Sequence, residues 1–213
     1  MKGFGFLIGS WQGWLACIFF TGLFGTFLSY ADFWNIQIQQ AYGHSIVTSA
    51  SLNALLPIGL AFGGVCFGWF SDMIGKIAFP CRLCAITSII SLCLLIYIPF
   101  LPVFVVPILL FLTGFFVGGS TLAFPAALQY CPRSVQGTAL GLVTACGYIG
   151  AGILNLIVPT ILGKVPEFQQ GNSVWITYMN LDSQQLETVF NFKMSMLPLI
   201  AAVLAAVIAA LFL

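Results

Sequence analysis

The sequence predicts an all-α, polytopic membrane protein of six transmembrane helices, and three observations carry that prediction. Of the 213 residues, 61% are hydrophobic and 5% charged, with a mean hydropathy of +1.09, so a mixed polar surface around a soluble core cannot be assembled. The apolar residues fall into six runs, each close to the roughly 20 residues that a helix needs to cross a hydrocarbon core of about 30 Å. Short segments between the runs hold most of the charged residues, which leaves no room for a soluble domain. The formal net charge is +1 and the six bases are scattered, so no field for nucleic acid exists.

The first span is expected at about 13–31, after a segment Met1 to Gln12 that is interfacial or part of a linker. Trp11 and Trp14 suit a headgroup-level anchor. Lys2 and the apolar stretch after it lack a small-residue cleavage site, which favours a retained helix over a signal peptide. The span continues into an amide-rich and aromatic extension from Asp32 to Gly43, suited to a cavity or the outer surface and not to lipid. The second span, about 45–70, carries Ser49, Ser51 and Asn53, then Pro57 and four glycines that let it bend and pack. Gly64 and Gly68 share a helical face and are expected to admit a close neighbouring helix, the small-xxx-small device of membrane interiors.

That span ends in Ser71-Asp72-Met-Ile-Gly75-Lys76. Asp72 is expected just past the helix, capping or facing the free amides of the next one. Gly75 permits the reversal, and Lys76 places a positive charge at the membrane surface. The third span, about 79–98, is rich in Leu, Ile, Cys and Ser; Pro99 and Pro102 turn the chain into a fourth at about 103–128. There Gly114, Gly118 and Gly119 are spaced for close helix contact, and Pro107 and Pro125 are expected to kink its ends. The fifth span, about 137–162, is small-faced through Gly141, Gly147, Gly150 and Gly152, with Tyr148 and Asn155 as polar side chains. A polar loop from Gly163 to about Glu187 leads to a last span, about 188–213, rich in Ala and Leu.

Two loops resemble the major facilitator superfamily. Gly68, Asp72, Gly75 and Lys76 match its signature G-x-x-x-D-x-x-G-[RK], while Ile77 and Ala78 depart from the further basic positions and the next base is Arg82. This looks like the degraded copy found in the C-terminal six helices of that superfamily. Pro132, Arg133 and Gly137-Thr-Ala-Leu-Gly141 resemble its loop between helices ten and eleven. The resemblance implies half of a major facilitator fold, with the third span equivalent to a lipid-facing ninth helix. It also implies alternating access, in which two six-helix bundles rock about a midplane site. The partners implied are the lipid bilayer, a small-molecule solute and a second six-helix half, supplied as a separate chain, by self-pairing or by a missing segment. The terminus at Leu213 leans toward a fragment.

Alternating sides from a cytoplasmic N-terminus puts Lys2, Lys76, Arg82 and Arg133 inside, and Lys164 and Lys193 with Asp32, Glu167, Asp182 and Glu187 outside. The lean fits the positive-inside rule and a cell (inner) membrane protein with both termini cytoplasmic. No charge falls at mid-membrane. Asp32 sits about 28 Å along from Gly13 at 1.5 Å per residue, at the outer interface, and is either solvated or part of a coupling site. Trp34, Gln37, Asn53, Tyr148 and Asn155 are the substrate-binding candidates, Trp34 and Gln37 sharing a helical face. For each the alternative is an interhelical hydrogen bond or an interface anchor. Asp72 and Arg133 lie on one side in separate loops, either as a conformation-dependent gate pair or as exposed charges.

Catalytic residues, cofactors and a metal site are not expected. The single histidine, His44, falls outside the membrane, and no phosphate-loop or zinc-protease motif occurs. Cys81-Arg-Leu-Cys84 has metal spacing but no second ligand pair, and the seven cysteines read as small buried hydrophobes. Two other readings stand beside transport: a six-span substrate-capture subunit of an ATP-driven importer, and a non-transporting scaffold.

Overall fold

The computed structural model describes residues 10–41, 45–98, 104–129, 131–168 and 193–213. Among the described residues six helices are long and apolar enough to cross a membrane: Trp11–Asp32, Ile46–Ile74, Ala78–Tyr97, Val105–Leu128, Arg133–Ile161 and Lys193–Phe212. No strand occurs among them. The all-α, six-span class expected from composition is what the chain adopts. Met1, Lys2, His44, Pro99, Pro102 and most of the polar loop before the last span lie outside the described residues.

The first span is the hub. It packs on the fourth, fifth and sixth spans, and its helical continuation packs on the second. Ser10 opens it, its hydroxyl accepting the Gly13 N–H at 3.3 Å. Phe19, Leu23 and Tyr30 are fully buried along it, while Trp11 and Trp14 are exposed as interface anchors would be. Close approach on two sides depends on missing side chains: a Cβ at Gly22 would strike the backbone of Ala202, and one at Gly25 would lie 3.0 Å from the Gly147 carbonyl. Two π-turns, Thr21–Gly25 and Tyr30–Trp34, interrupt the helix, which then runs on as Asn35–Ala41. Each admits an extra residue to a turn and so re-aims the face that follows.

The second span breaks at Ala54, between Ile46–Asn53 and Leu55–Ile74. Pro57 explains the place: its ring has no N–H to donate and crowds the carbonyl four residues earlier, that of Asn53. The helix runs on to Ile74, beyond the expected end, and stops where Gly75 turns left-handed at φ 68°, its N–H on the Ser71 carbonyl at 2.9 Å. The expectation for Asp72 is therefore corrected. Asp72 lies in the last helical turn and is exposed, and the next helix begins after Ile77 without a side-chain cap.

The glycine contact is also displaced from where it was expected. Gly68 has nothing within 4 Å and Gly64 only ordinary contact with Thr121 at 3.6 Å. Gly59 and Gly63, one register earlier, are the pair on which the fourth span rests. A Cβ at either would collide with the backbone carbonyls of Phe111 or Phe115. Gly114 and Gly118 answer from the other side, against Leu56 and the backbone of Gly63 and Gly64. Both glycine pairs satisfy the same spacing in sequence, and only the position of the fourth span selects between them.

The third span is not simply lipid-facing. Cys81, Cys84, Ala85, Ser88, Leu92 and Leu95 are buried against the fourth and sixth spans, while Phe79, Leu83, Ile86 and Ile90 are exposed. In the fourth, Pro107 lies in the first turn of Val105–Gly118, where a proline removes no helical bond. The irregularity is a 3-10 turn at Gly119–Leu122, where Pro125 can supply no N–H to Thr121. The fifth helix reaches Phe168, so residues 163–168 are helical and not loop. The sixth span turns at Met196 just before Pro198. Its far end is held by Arg82, whose Nε and Nη2 donate to the carbonyls of Ala210 (3.1 Å) and Leu211 (3.0 Å).

Coverage is uneven. Over an 18-residue apolar stretch the first span is 72% buried, the second and fifth only 22% and 28%. Ile58, Phe62, Val65, Trp69 and Met73 stand exposed on one, and Tyr148, Ile149, Ile153 and Leu156 on the other.

Candidate functional site

Four buried polar side chains, Thr26, Ser29, Asn35 and Gln39, lie along the second half of the first span and its continuation. The second π-turn is the local cause. Asn35 N–H reaches back five residues to the Tyr30 carbonyl, where a regular helix would bond it to Ala31. Ala31 O instead accepts Nδ2 of Asn53 at 2.9 Å, across from the second span. A backbone carbonyl can only accept, so this bond settles which Asn53 atom is nitrogen. Oδ1 of Asn53 then accepts Nδ2 of Asn35 at 2.8 Å, which settles Asn35 in turn. The chain of three ties the first span to the second. On the other flank Ser29 donates to Oδ1 of Asn155 at 2.5 Å, tying the first span to the fifth.

This arrangement divides the sequence-derived candidates. Asn53 and Asn155 are half-buried interhelical links. Trp34 is buried and its Nε1 has no partner among the described residues. Gln37 is exposed, so the shared face expected for Trp34 and Gln37 is not formed: one turns into the bundle and the other out. Tyr148 is exposed on the fifth span, its ring edge-on to Phe24 at 6.0 Å. Asp32 is exposed within the π-turn. Sequence reasoning missed Asn35 and Gln39, which are 0% and 1% exposed. The signal available was their spacing of four in the amide-rich extension, which sets them on one face.

At the opposite end, Asp72, Lys76 and Arg133 are all exposed, and no ion pair forms among the described residues. Arg82 binds carbonyls there instead, a role no spacing announced. Cys81 and Cys84 are buried, with Sγ of Cys84 donating to the Cys81 carbonyl at 3.2 Å. No group of three metal-ligating side chains occurs among the described residues. Most thiols are buried or partly so, but Cys66 is exposed on the second span, unlike the buried role expected for it. Cys131 sits in the turn beside Arg133, and burial raises its thiol pKa above the usual range.

Comparison with known proteins follows the same lines. The family model of the Major Facilitator Superfamily matches residues 2–154. A gentisate transporter of Corynebacterium glutamicum is 28% identical over 180 residues, covering 83% of this chain. The aligned part spans 39% of that transporter's length. No solved structure matches.

Proposed function

The chain belongs to the major facilitator superfamily, and from that membership we propose that it is one six-helix half of a secondary transporter, moving a small solute by alternating access against a second half. Family and relative alike support transport as the general role. The observation that carries the finer reading is the uneven coverage of the bundle. The second and fifth spans, which clasp the first through Asn53 and Asn155, are the two left most open, at 22% and 28% buried. A second six-helix bundle laid across them would enclose the side of the first span that holds the polar chain.

In this reading Gln37 and Tyr148 are the exposed groups available to a solute, and Asn53, Asn155 and Trp34 set the two helices that carry them. Asp72 and Arg133 would pair only in the state that closes their end of the path. Uptake into vesicles holding this chain alone, and this chain with a candidate second half, tests the proposal. Gentisate, named for the relative, is the first solute to offer. Uptake only with both halves is the expected result. Solute accumulation that follows ATP hydrolysis by a separate subunit would replace this reading with that of a capture subunit.

The orientation proposed is cytoplasmic at both termini in the cell membrane. It rests on the placement of Lys76, Arg82 and Arg133 at one end of the bundle.

A further inference from the structure

The hydrogen-bonded chain from Ala31 through Asn53 to Asn35 leaves a remainder. With Nδ2 of Asn35 committed to Asn53, its Oδ1 is fixed as an acceptor, fully buried and without a partner. Oε1 of Gln39, one helical turn further on, is likewise buried and without a partner among the described residues. Two lone carbonyl-type oxygens on one stripe, in a helix packed against the second span, are not accounted for by helix packing. A buried acceptor left without a donor is a cost to the fold that a bound ligand would remove. Asp32 stands three residues before Asn35, inside the π-turn, and is exposed where the other two are not. Residues 30–41 contain neither Cys nor His.

We propose that Oδ1 of Asn35 and Oε1 of Gln39, with the carboxylate of Asp32 beside them, form a binding site for a hard monovalent cation of the sodium type. The donor set is oxygen alone, which suits a hard cation and not a zinc or copper ion. One carboxylate balances one charge, and neutral amide oxygens replace part of the hydration shell. Asp32, in contact with solvent, is the point at which the ion enters. The π-turn has a part in this: by moving Asn35 N–H to Tyr30 it frees Ala31 O to hold Asn53, and Asn53 in turn aims Asn35 Oδ1 at the site.

The test is thermal unfolding of the full chain in detergent, in sodium, potassium or choline chloride at equal ionic strength. Sodium should raise the unfolding midpoint over choline by several degrees, and the shift should saturate as a bound ligand requires. Gln39→Met and Asp32→Asn should each lose the sodium-dependent part of the shift. If Gln39→Met fails to fold, Asp32→Asn, at an exposed position, decides alone. An equal response to potassium supports the site as one for monovalent cations without selectivity. No saturable shift in the unaltered chain, as a site holding only water would give, overturns the proposal, and so does a shift of the same size in the folded variants. The measurement involves no transport, so its outcome is separate from the fate of the two-half reading.

Discussion

Arg82 shows how little a residue type says about its work. In sequence it is a base near the membrane surface; in the fold its guanidinium caps the last carbonyls of the sixth span, where the helix dipole is negative and carbonyls lack helical donors. Arg82→Ala should lower stability by about 1 kcal/mol, discounted for its exposure. Arg133→Ala, which breaks no bond among the described residues, should leave the unfolding midpoint in detergent nearly unchanged. Equal losses for the two would remove the capping role. Asn53 is the second such case. Asn53→Ala leaves the Ala31 carbonyl and Asn35 Nδ2 without partners, a loss of about 1 kcal/mol from two interhelical bonds of about 0.6 kcal/mol each. If Asn53 served only a solute, that substitution would depress uptake and leave the midpoint in place.

At the scale of helices, the decisive contact is glycine on glycine between the second and fourth spans. Gly63→Val has to push aside the Phe115 backbone, which cannot yield as a side-chain tip can. It should destabilise the bundle by about 3 kcal/mol or more, an overpacking cost at the upper end of the usual range. Gly68→Val meets open space in the isolated half and should change stability by less than about 0.5 kcal/mol. Detergent melting of the two variants side by side checks the register; the reverse order would place the contact back on Gly64 and Gly68. Gly75 answers to a different constraint. With φ at 68°, Gly75→Ala should cost about 1 kcal/mol from left-handed strain alone, with no neighbour to strike.

At the scale of the whole molecule, orientation and the uncovered face each make a prediction. A variant whose single cysteine is Cys131 tests the first. An impermeant maleimide should label it in inside-out vesicles and not in intact cells. Burial raises this thiol pKa, so at neutral pH less thiolate is present than in a free cysteine. The labelling rate should therefore climb as pH rises, levelling only above the raised pKa. Labelling from outside intact cells would invert the topology. For the uncovered face, cross-linking from Trp69→Cys or Ile153→Cys, both exposed, should capture a co-expressed second half in preference to unrelated membrane proteins.

Six spans, the glycine that ends the second and the family were all legible in the order of residues. The first two depend on local physics, since twenty apolar side chains cross a bilayer wherever they occur and a left-handed turn needs glycine whatever surrounds it; the family was carried by two short loop motifs. The amide-rich extension was legible as unusual, but not which of its amides would be buried. Helical spacing allowed Trp34 and Gln37 one face and offered Gly59–Gly63 and Gly64–Gly68 as equal seams. Choosing between such equivalents requires knowing where another helix lies, and the π-turn at Tyr30–Trp34 changes the answer by re-aiming everything after it. The burial of Asn35 and Gln39, the use of Arg82 and the exposure of the second and fifth spans were decided by tertiary packing alone, because each depends on partners more than ten residues away along the chain.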